Sequence, residues 1–294
     1  MANLKDIRSR ISTVKKTRQI TSAMKLVAGA KLKRATDRAL AARPYREQLE
    51  AVLRRVASVA GDQVDEELLK PREDVSKALV VVLTSDRGLC GPFNNALLRK
   101  STQWYAERAE QGIELATRVY GRKGEAFLKR ANVELEDAVL EYERIGKMEL
   151  VKPLTARLVS AFVDREVDEV YIVYNRFVSA LTQVPTFERI LPLQVDLGEA
   201  EATEENAEMP AEYRYEPSAT GILGTLLPLY LETLVLSAFL ETEAGEHAAR
   251  MTAMDSATRN ASDLIDQLTL DYNRARQAAI TTEIIEIVSG AAAL

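Results

Sequence analysis

The stretch Leu4-Lys-Asp-Ile-Arg-Ser-Arg-Ile-Ser-Thr-Val14 opens a segment, Asn3 to Ala60, that holds one proline, Pro44, and one glycine, Gly29. Alternating steps of three and four bring Leu4, Ile7, Ile11, Val14, Arg18, Thr21, Lys25, Ala28, Leu32, Ala35, Ala39, Ala42, Arg46, Leu49, Leu53 and Val56 onto one side of a helix. Twelve of these sixteen are apolar, and the period of 3.5 belongs to a coiled-coil seam rather than to the broader stripe of a globular helix. At 1.5 Å per residue the helix would reach about 80 Å. Pro44 lacks an N–H and is expected to bend it or mark a joint.

The other end of the chain mirrors this. From Tyr230 to Leu294 there is no proline, and Gly245 and Gly290 are the glycines. A second seam runs through Met251, Met254, Thr258, Ala261, Ile265, Leu268, Tyr272, Ala275 and Ala279, whose small residues would let a partner helix come close. Counted from Ser218, which has the side chain of an N-cap, this helix would exceed about 100 Å. Two long terminal helices within one chain pair most simply antiparallel, with a domain between them; a parallel pairing needs a long return connection.

That domain reads differently. Lys77-Ala-Leu-Val-Val-Val-Leu83 is a continuous, largely β-branched run, as expected of a strand buried on both faces. The turn-rich Thr84-Ser-Asp-Arg-Gly-Leu-Cys-Gly-Pro92 leads into a helical stretch, Phe93 to Glu110. Strands are expected at Arg118 to Tyr120, Glu169 to Phe177 and Val184 to Pro192, and helices at Gly121 to Arg130 and Leu154 to Arg165. This alternation indicates a small parallel sheet. Glu199 to Glu216 is acidic and poor in apolar residues, and reads as a solvated linker. The expected fold class is α/β: a long antiparallel coiled coil of the N- and C-terminal helices with an inserted small α/β, Rossmann-like domain. The expected limits are 1–60 for the first helix, 75–195 for the α/β domain, 196–217 for the acidic linker and 218–294 for the last helix.

Composition agrees with a folded, helix-rich chain: 294 residues, 47% apolar, 28% charged, with aromatics at 6%. One cysteine and one histidine cannot supply an internal disulfide or a Cys/His zinc site. The polar Met1 to Arg10 lacks the apolar core of a secretory signal, and the most apolar run, Gly221 to Phe239, is interrupted by Pro228 and Glu232. A membrane span is therefore not expected, and the cytosolic side of a membrane is the expected compartment. The formal net charge of −5 hides a strong asymmetry. Residues 1–60 carry 15 Lys/Arg against 4 Asp/Glu, a net +11, while the last 64 residues carry 4 basic and 10 acidic groups. A basic terminus raises nucleic acid as a partner. Here the chain supplies its own acidic counterpart, so the ends are expected to face each other or oppositely charged proteins.

Chemistry-bearing motifs are scarce. The Asp86 to Gly91 loop stands where a doubly wound sheet places a ligand, yet it matches neither G-x-x-x-x-G-K-[ST] nor G-x-G-x-x-G, and a tight strand-to-helix turn is the plainer reading. Gly121-Arg-Lys-Gly124 admits an anion at a helix start or an ordinary β-to-α connection. Cys90 has no histidine near it in sequence, and His247, in Glu246-His-Ala-Ala-Arg250, is expected on a helix surface. No H-E-x-x-H or G-x-S-x-G occurs. No catalytic, cofactor-binding or metal-binding residue is assigned. The seams themselves carry polar interruptions at Arg18, Thr21 and Lys25, and on the other helix Arg250, Arg274, Arg276, Gln277, Thr281 and Glu283 stand among alanines and methionines. Spacing alone admits either an ordinary amphipathic helix with a solvated side or a face that sets register and meets partners.

The two ends also carry a resemblance. Ile7-Arg-Ser-Arg-Ile-Ser-Thr-Val-Lys-Lys-Thr-Arg-Gln-Ile-Thr-Ser-Ala-Met-Lys-Leu-Val-Ala28 resembles the amino-terminal signature of the gamma subunit of bacterial F-type ATP synthases. Glu246-His-Ala-Ala-Arg-Met-Thr-Ala-Met-Asp-Ser-Ala-Thr258 and Tyr272-Asn-Arg-Ala-Arg-Gln-Ala-Ala-Ile-Thr-Thr-Glu-Ile-Ile-Glu-Ile-Val-Ser-Gly-Ala-Ala-Ala293 are similar to its carboxyl-terminal signature. Thr84 to Gly91 resembles the family's central motif, and Arg43-Pro-Tyr45 its usual bend.

The resemblance implies a central rotor shaft that couples ion-driven rotation to ATP synthesis or hydrolysis in a catalytic hexamer of alpha and beta subunits. It implies the epsilon subunit and the membrane c-ring as further partners, a peripheral place on the cytoplasmic side of the cell membrane, and no catalysis, nucleic-acid binding or direct membrane insertion by the chain itself. Carried over by motif, Met24 and Lys25 face a catalytic-subunit loop, Arg250 stands opposite them, and Gln277, Thr281 and Glu283 form an upper contact set. Pro92 departs from the family, which often has a second glycine there. If that glycine needs positive φ, the local turn must differ. No paired-cysteine insert is present, so thiol regulation is not expected. A coiled-coil scaffold without catalytic activity is the alternative reading.

Overall fold

The computed structural model describes residues 4–60, 66–194, 216 and 218–292. Helix α1 spans Leu4–Ala60 and helix α5 spans Ala219–Ala292, 57 and 74 residues. Ser218 caps α5 as its side chain suggests: its Oγ accepts the Gly221 N–H at 3.1 Å. Both helices continue through their prolines, Pro44 and Pro228. Pro44 is solvent-exposed, so water can take the Leu40 carbonyl that its missing N–H leaves free.

Between them lie β1 (Lys77–Leu83), α2 (Phe93–Glu110), β2 (Glu114–Tyr120), α3 (Arg122–Arg130), β3 (Leu135–Val139), α4 (Lys147–Val163), β4 (Glu169–Phe177) and β5 (Gln183–Leu191). The strands form one sheet in the order β3-β2-β1-β4-β5. The first four are parallel, while β5 runs antiparallel to β4. That orientation corrects the expectation of a wholly parallel sheet. Five residues join β4 to β5, enough for a hairpin and far too few for a crossover.

Alternation along the central strands assigns the two faces. Leu79, Val81 and Leu83 of β1 and Val170, Ile172 and Tyr174 of β4 enter the largest core, with α4 residues such as Leu158 and Phe162. Leu49, Leu53, Val56 and Ala57 of α1 and Leu223, Leu227, Leu231 and Val235 of α5 complete it. Ala78, Val80 and Val82 point the other way, into a second core with Leu97 and Leu98 of α2 and Leu128 of α3. Burial on both faces is why β1 reads as an unbroken apolar run. The same packing explains the hydropathy of α5. This helix holds an 18-residue window apolar enough by length and composition to cross a membrane, yet its Leu223, Leu227, Leu231 and Val235 are at most 1% exposed within the protein core.

The chain divides into two compact units: Lys31–Ala249, just described, and Met1–Ala30 with Arg250–Leu294. Every α1 seam position predicted by the 3.5-residue period is buried or half-buried except Arg18, and on α5 every one except Ala279. The acidic segment Glu199 to Glu216 lies outside the described residues apart from Glu216.

Candidate functional site

A doubly wound sheet offers a ligand crevice outside the carboxyl ends of its strands. Here that edge is occupied by the chain's own groups. The Arg122 N–H donates to Asp86 Oδ1 at 3.1 Å, the Lys123 N–H to the Ser85 carbonyl at 3.2 Å, and the Gly124 N–H to Thr84 Oγ1 at 2.9 Å. The donors at the start of α3, which would hold a phosphate in a nucleotide-binding turn, are thus each taken. The anion at this helix end is Asp86, whose Oδ1 also accepts the Glu141 N–H at 3.0 Å.

The glycines follow from the same crowding. A Cβ on Gly121 would stand 2.4 Å from the Thr84 carbonyl oxygen, and one on Gly124 2.6 Å from Val119 Cγ2. Gly121-Arg-Lys-Gly124 is therefore a close β-to-α connection. The remaining space is a polar cleft of about 190 Å³ bordered by Asp86, Arg87, Arg122, Glu141, Glu143 and Arg144, with Arg122 and Arg144 both paired to Glu141.

The turn accommodates Pro92 without strain. Positive φ falls on Leu89 (63°) and Gly91 (57°), whereas Pro92 has φ −79° and starts α2, its carbonyl accepting the Ala96 N–H at 2.7 Å. Asn94, which sequence reasoning passed over, ties the loop together. Its Oδ1 accepts the Ser85 N–H at 3.0 Å, and its Nδ2 donates to Ser85 Oγ at 2.7 Å and lies 3.2 Å from Cys90 Sγ. Cys90 is buried against Phe93 and Ala249.

His247 is not on a surface, as its sequence position suggests, but 5% exposed, next to Glu246 at 1%. α5 is enclosed from Ala244 to Ala249: a Cβ on Gly245 would touch Phe93 Cε2 at 3.0 Å and Gln183 Cγ at 3.3 Å. Tyr142 lies in the same region and donates to the Thr84 carbonyl at 2.8 Å. Burial, reinforced by the carboxylates of Glu246, Glu143, Asp86 and Glu243, pushes its phenol well above the usual range. Among the described residues no group of three or more His, Cys, Asp or Glu is arranged to hold a metal.

The second candidate is the helix pair itself. Gly29 approaches Met251 so closely that a Cβ would stand 3.4 Å from its sulfur. Lys25 Nζ is 2.7 Å from Asp255 Oδ1, and Thr21 Oγ1 is 2.8 Å from Thr258 Oγ1. Descending numbers on α1 meet ascending numbers on α5, so the helices are antiparallel. Ala28, Met254, Ala261 and Ile265 fill the seam between them. Further along, from Arg276 to Ser289, every residue of α5 is exposed, including Ile280, Ile284, Ile285, Ile287 and Val288 at 48–66%.

This geometry separates the six residues carried over by motif into two groups. Met24, Lys25 and Arg250 are half-buried at one level of the pair. Gln277, Thr281 and Glu283 are exposed, about 40–50 Å further along α5 than Arg250. Thr281 Oγ1 donates back to the Gln277 carbonyl at 2.9 Å. Lys25, carried over as facing a catalytic-subunit loop, is engaged by Asp255 of its own chain.

The sequence profile described as ATP synthase matches residues 3–294. A protein named ATP synthase gamma chain from Pelotomaculum thermopropionicum is 46% identical over 299 residues, with 100% of each chain covered. The chain belongs to the ATP synthase gamma-chain family. The gamma chain of Brevibacillus brevis is 44% identical over 288 residues, covering 98% of this chain and 97% of that one. Among solved structures, a chain of the Euglena gracilis mitochondrial ATP synthase OSCP/F1/c-ring assembly superposes with a TM-score of 0.66 at 20% identity, covering 99% of this chain and 94% of its own. A chain of the rotor from the same source gives 0.61 at 19% identity, with 94% and 98% covered. At such identities the likeness speaks to the fold. Family and fold together assign the chain to the central-stalk rotor of an F-type ATP synthase, as a subunit of that membrane-associated complex.

Proposed function

We propose that the chain is the rotating axle that couples ion flow through a membrane ring to ATP synthesis and hydrolysis in a hexamer of alpha and beta subunits, and that it catalyses nothing alone. The observation that carries this is the exposed end of α5. An exposed row of isoleucines on a rigid helix marks a protein-contact surface. The absence of symmetry in a single chain does the rest. Each orientation of the helix pair contacts one hexamer subunit differently from its neighbours, and that difference in contact energy biases their conformational equilibria.

Residues 1–60 and 218–294 form the shaft in this reading, 75–195 the domain toward the c-ring and the epsilon subunit, and 196–217 a linker. Met24, Lys25 and Arg250 serve as the contact level for a catalytic-subunit loop. Gln277, Thr281 and Glu283 serve as the upper level. The α/β domain contributes a filled crevice and no nucleotide site. The complex works as a proton-translocating enzyme on the cytoplasmic side of the cell membrane, with this chain peripheral to the bilayer.

Deletion of residues 265–294 tests this in the assembled complex in inverted membrane vesicles. ATP-driven proton pumping is expected to fall much further than the folded content of the α/β domain. Unchanged pumping by the truncated complex contradicts the axle.

A further inference from the structure

Between Ile7 and Ala30, α1 carries six Lys or Arg and no carboxylate, and between Arg250 and Ser262 of α5 Asp255 is the sole acidic residue. One anion therefore faces a wholly basic stretch. Its two oxygens are divided between two cations: Oδ1 lies 2.7 Å from Lys25 Nζ, and Oδ2 pairs with Arg259, one turn further along α5. Both oxygens are held, and the carboxyl is kept below its usual range by the bonds from Lys25 and Arg259. The backbone of Asp255 is fixed as well, because the Gly29–Met251 approach and the Thr21–Thr258 contact flank it by about one turn on either side.

We infer that Asp255 is a positioning residue: it fixes the direction of the Lys25 ammonium on the shaft surface and holds both Lys25 and Arg259 back from acidic surfaces that the shaft passes. The inference rests on the contact reading of Lys25 proposed above. A lysine stem has four rotatable carbons, and an unpaired ammonium would sweep a wide arc and bind any carboxylate within reach. A shaft that turns past several copies of one surface needs contacts that form and release. Three exposures locate the effect at the surface: the side chains of Lys25, Asp255 and Arg259 are 44%, 23% and 75% exposed. Ion pairs this exposed contribute little to folding. Asp255 thus acts on what the shaft presents rather than on whether it folds.

Asp255→Asn in the complete complex, assayed in inverted vesicles, separates the two roles. The melting temperature of the chain is expected to stay at the parent value. Protons pumped per ATP are expected to fall about twofold, within the range of about one- to fivefold that a single exposed charge contact sets. The ATPase rate should become more salt-dependent than in the parent, because two uncompensated cations are uncovered. Asp255→Glu should recover the parent values. A D255N complex matching the parent in both pumping ratio and salt dependence overturns the inference. Lys25→Gln distinguishes the causes. If it alters pumping while D255N does not, only the role of Asp255 fails; if neither changes it, the contact reading of Lys25 fails too.

Discussion

Thr258 Oγ1 on α5 lies 2.8 Å from Thr21 Oγ1 on α1 and 2.7 Å from the Met254 carbonyl of its own helix. Thr21 in turn donates to the Arg18 carbonyl at 3.1 Å, so its oxygen is free to accept across the seam. A buried and a half-buried hydroxyl between the helices fix the register of the pair at one level, as a polar residue does in a coiled-coil core.

Thr21→Val leaves Thr258 with its intrahelical bond and removes its cross-helix partner. The expected cost is about 1 kcal/mol, read as a lowered midpoint in thermal or denaturant unfolding. The double variant Thr21→Val, Thr258→Val should cost less than the sum of the single changes, because an apolar pair of the same shape leaves no hydroxyl unmatched. Strict additivity would mean that the two hydroxyls do not interact.

Gly124→Ala would drive a methyl against Val119 Cγ2 and Thr84 Oγ1, at 2.6 and 2.7 Å. Both lie on rigid elements, so the α/β unit should lose about 1–3 kcal/mol. Circular dichroism during melting would register this as an earlier loss of the sheet.

Asp86→Ala removes the acceptor shared by the Arg122 and Glu141 N–H groups. Arg122 is exposed and Glu141 half-buried, so water can reach both donors, and the expected cost is about 1 kcal/mol in all. Because the α3 donors are otherwise occupied, the parent chain should show no shift in melting temperature with Mg-ATP. A clear stabilisation by nucleotide would mean that the crevice opens.

The sequence revealed those elements whose signal is local. The run Lys77 to Leu83 and the helix Phe93 to Glu110 have the bounds that their apolar pattern and flanking turn suggest. Both seams follow from period alone. Leu135-Glu-Asp-Ala-Val139 escaped because an edge strand with two acids in five residues has no apolar alternation to read; its pairing with β2 makes it a strand. α4 begins at Lys147, ahead of the expected Leu154, since Pro153 reads as a boundary when isolated but lies inside the helix. His247 was misjudged for a related reason. An alanine-rich helix flanked by charges looks solvated until tertiary contacts cover every side of it. The two levels of the residues proposed as contacts follow from their positions along the helix pair, and the Lys25–Asp255 pair became visible when the antiparallel register placed the two opposite each other.

Glu241 and Asp168 should give opposite pH responses. Burial raises the Glu241 carboxyl above its ordinary value, even though the Phe177 N–H donates to it at 3.1 Å. The folded state therefore favours its neutral form, and its contribution weakens as pH rises from about 4.5 through the folded value. Glu241→Gln keeps an acceptor for Phe177 and should gain stability over the parent at about pH 7, with the difference closing near about pH 4. At Asp168 burial acts upward, but the Ser76 and Lys77 N–H groups, at 2.8 and 2.9 Å, together hold the carboxyl below its ordinary value. Its stabilisation is present above about pH 4 and lost as pH falls through the folded value, so Asp168→Asn should flatten the acid limb of the stability profile.

The most direct measurement is rotation. Lys100 is exposed on α2 and Cys90 is buried, so Lys100→Cys offers a thiol for a visible probe. With the alpha–beta hexamer fixed to a surface, the probe should turn in one direction when ATP is added and stop when ATP is exhausted. A probe that stays still while the same complexes hydrolyse ATP would contradict the rotor.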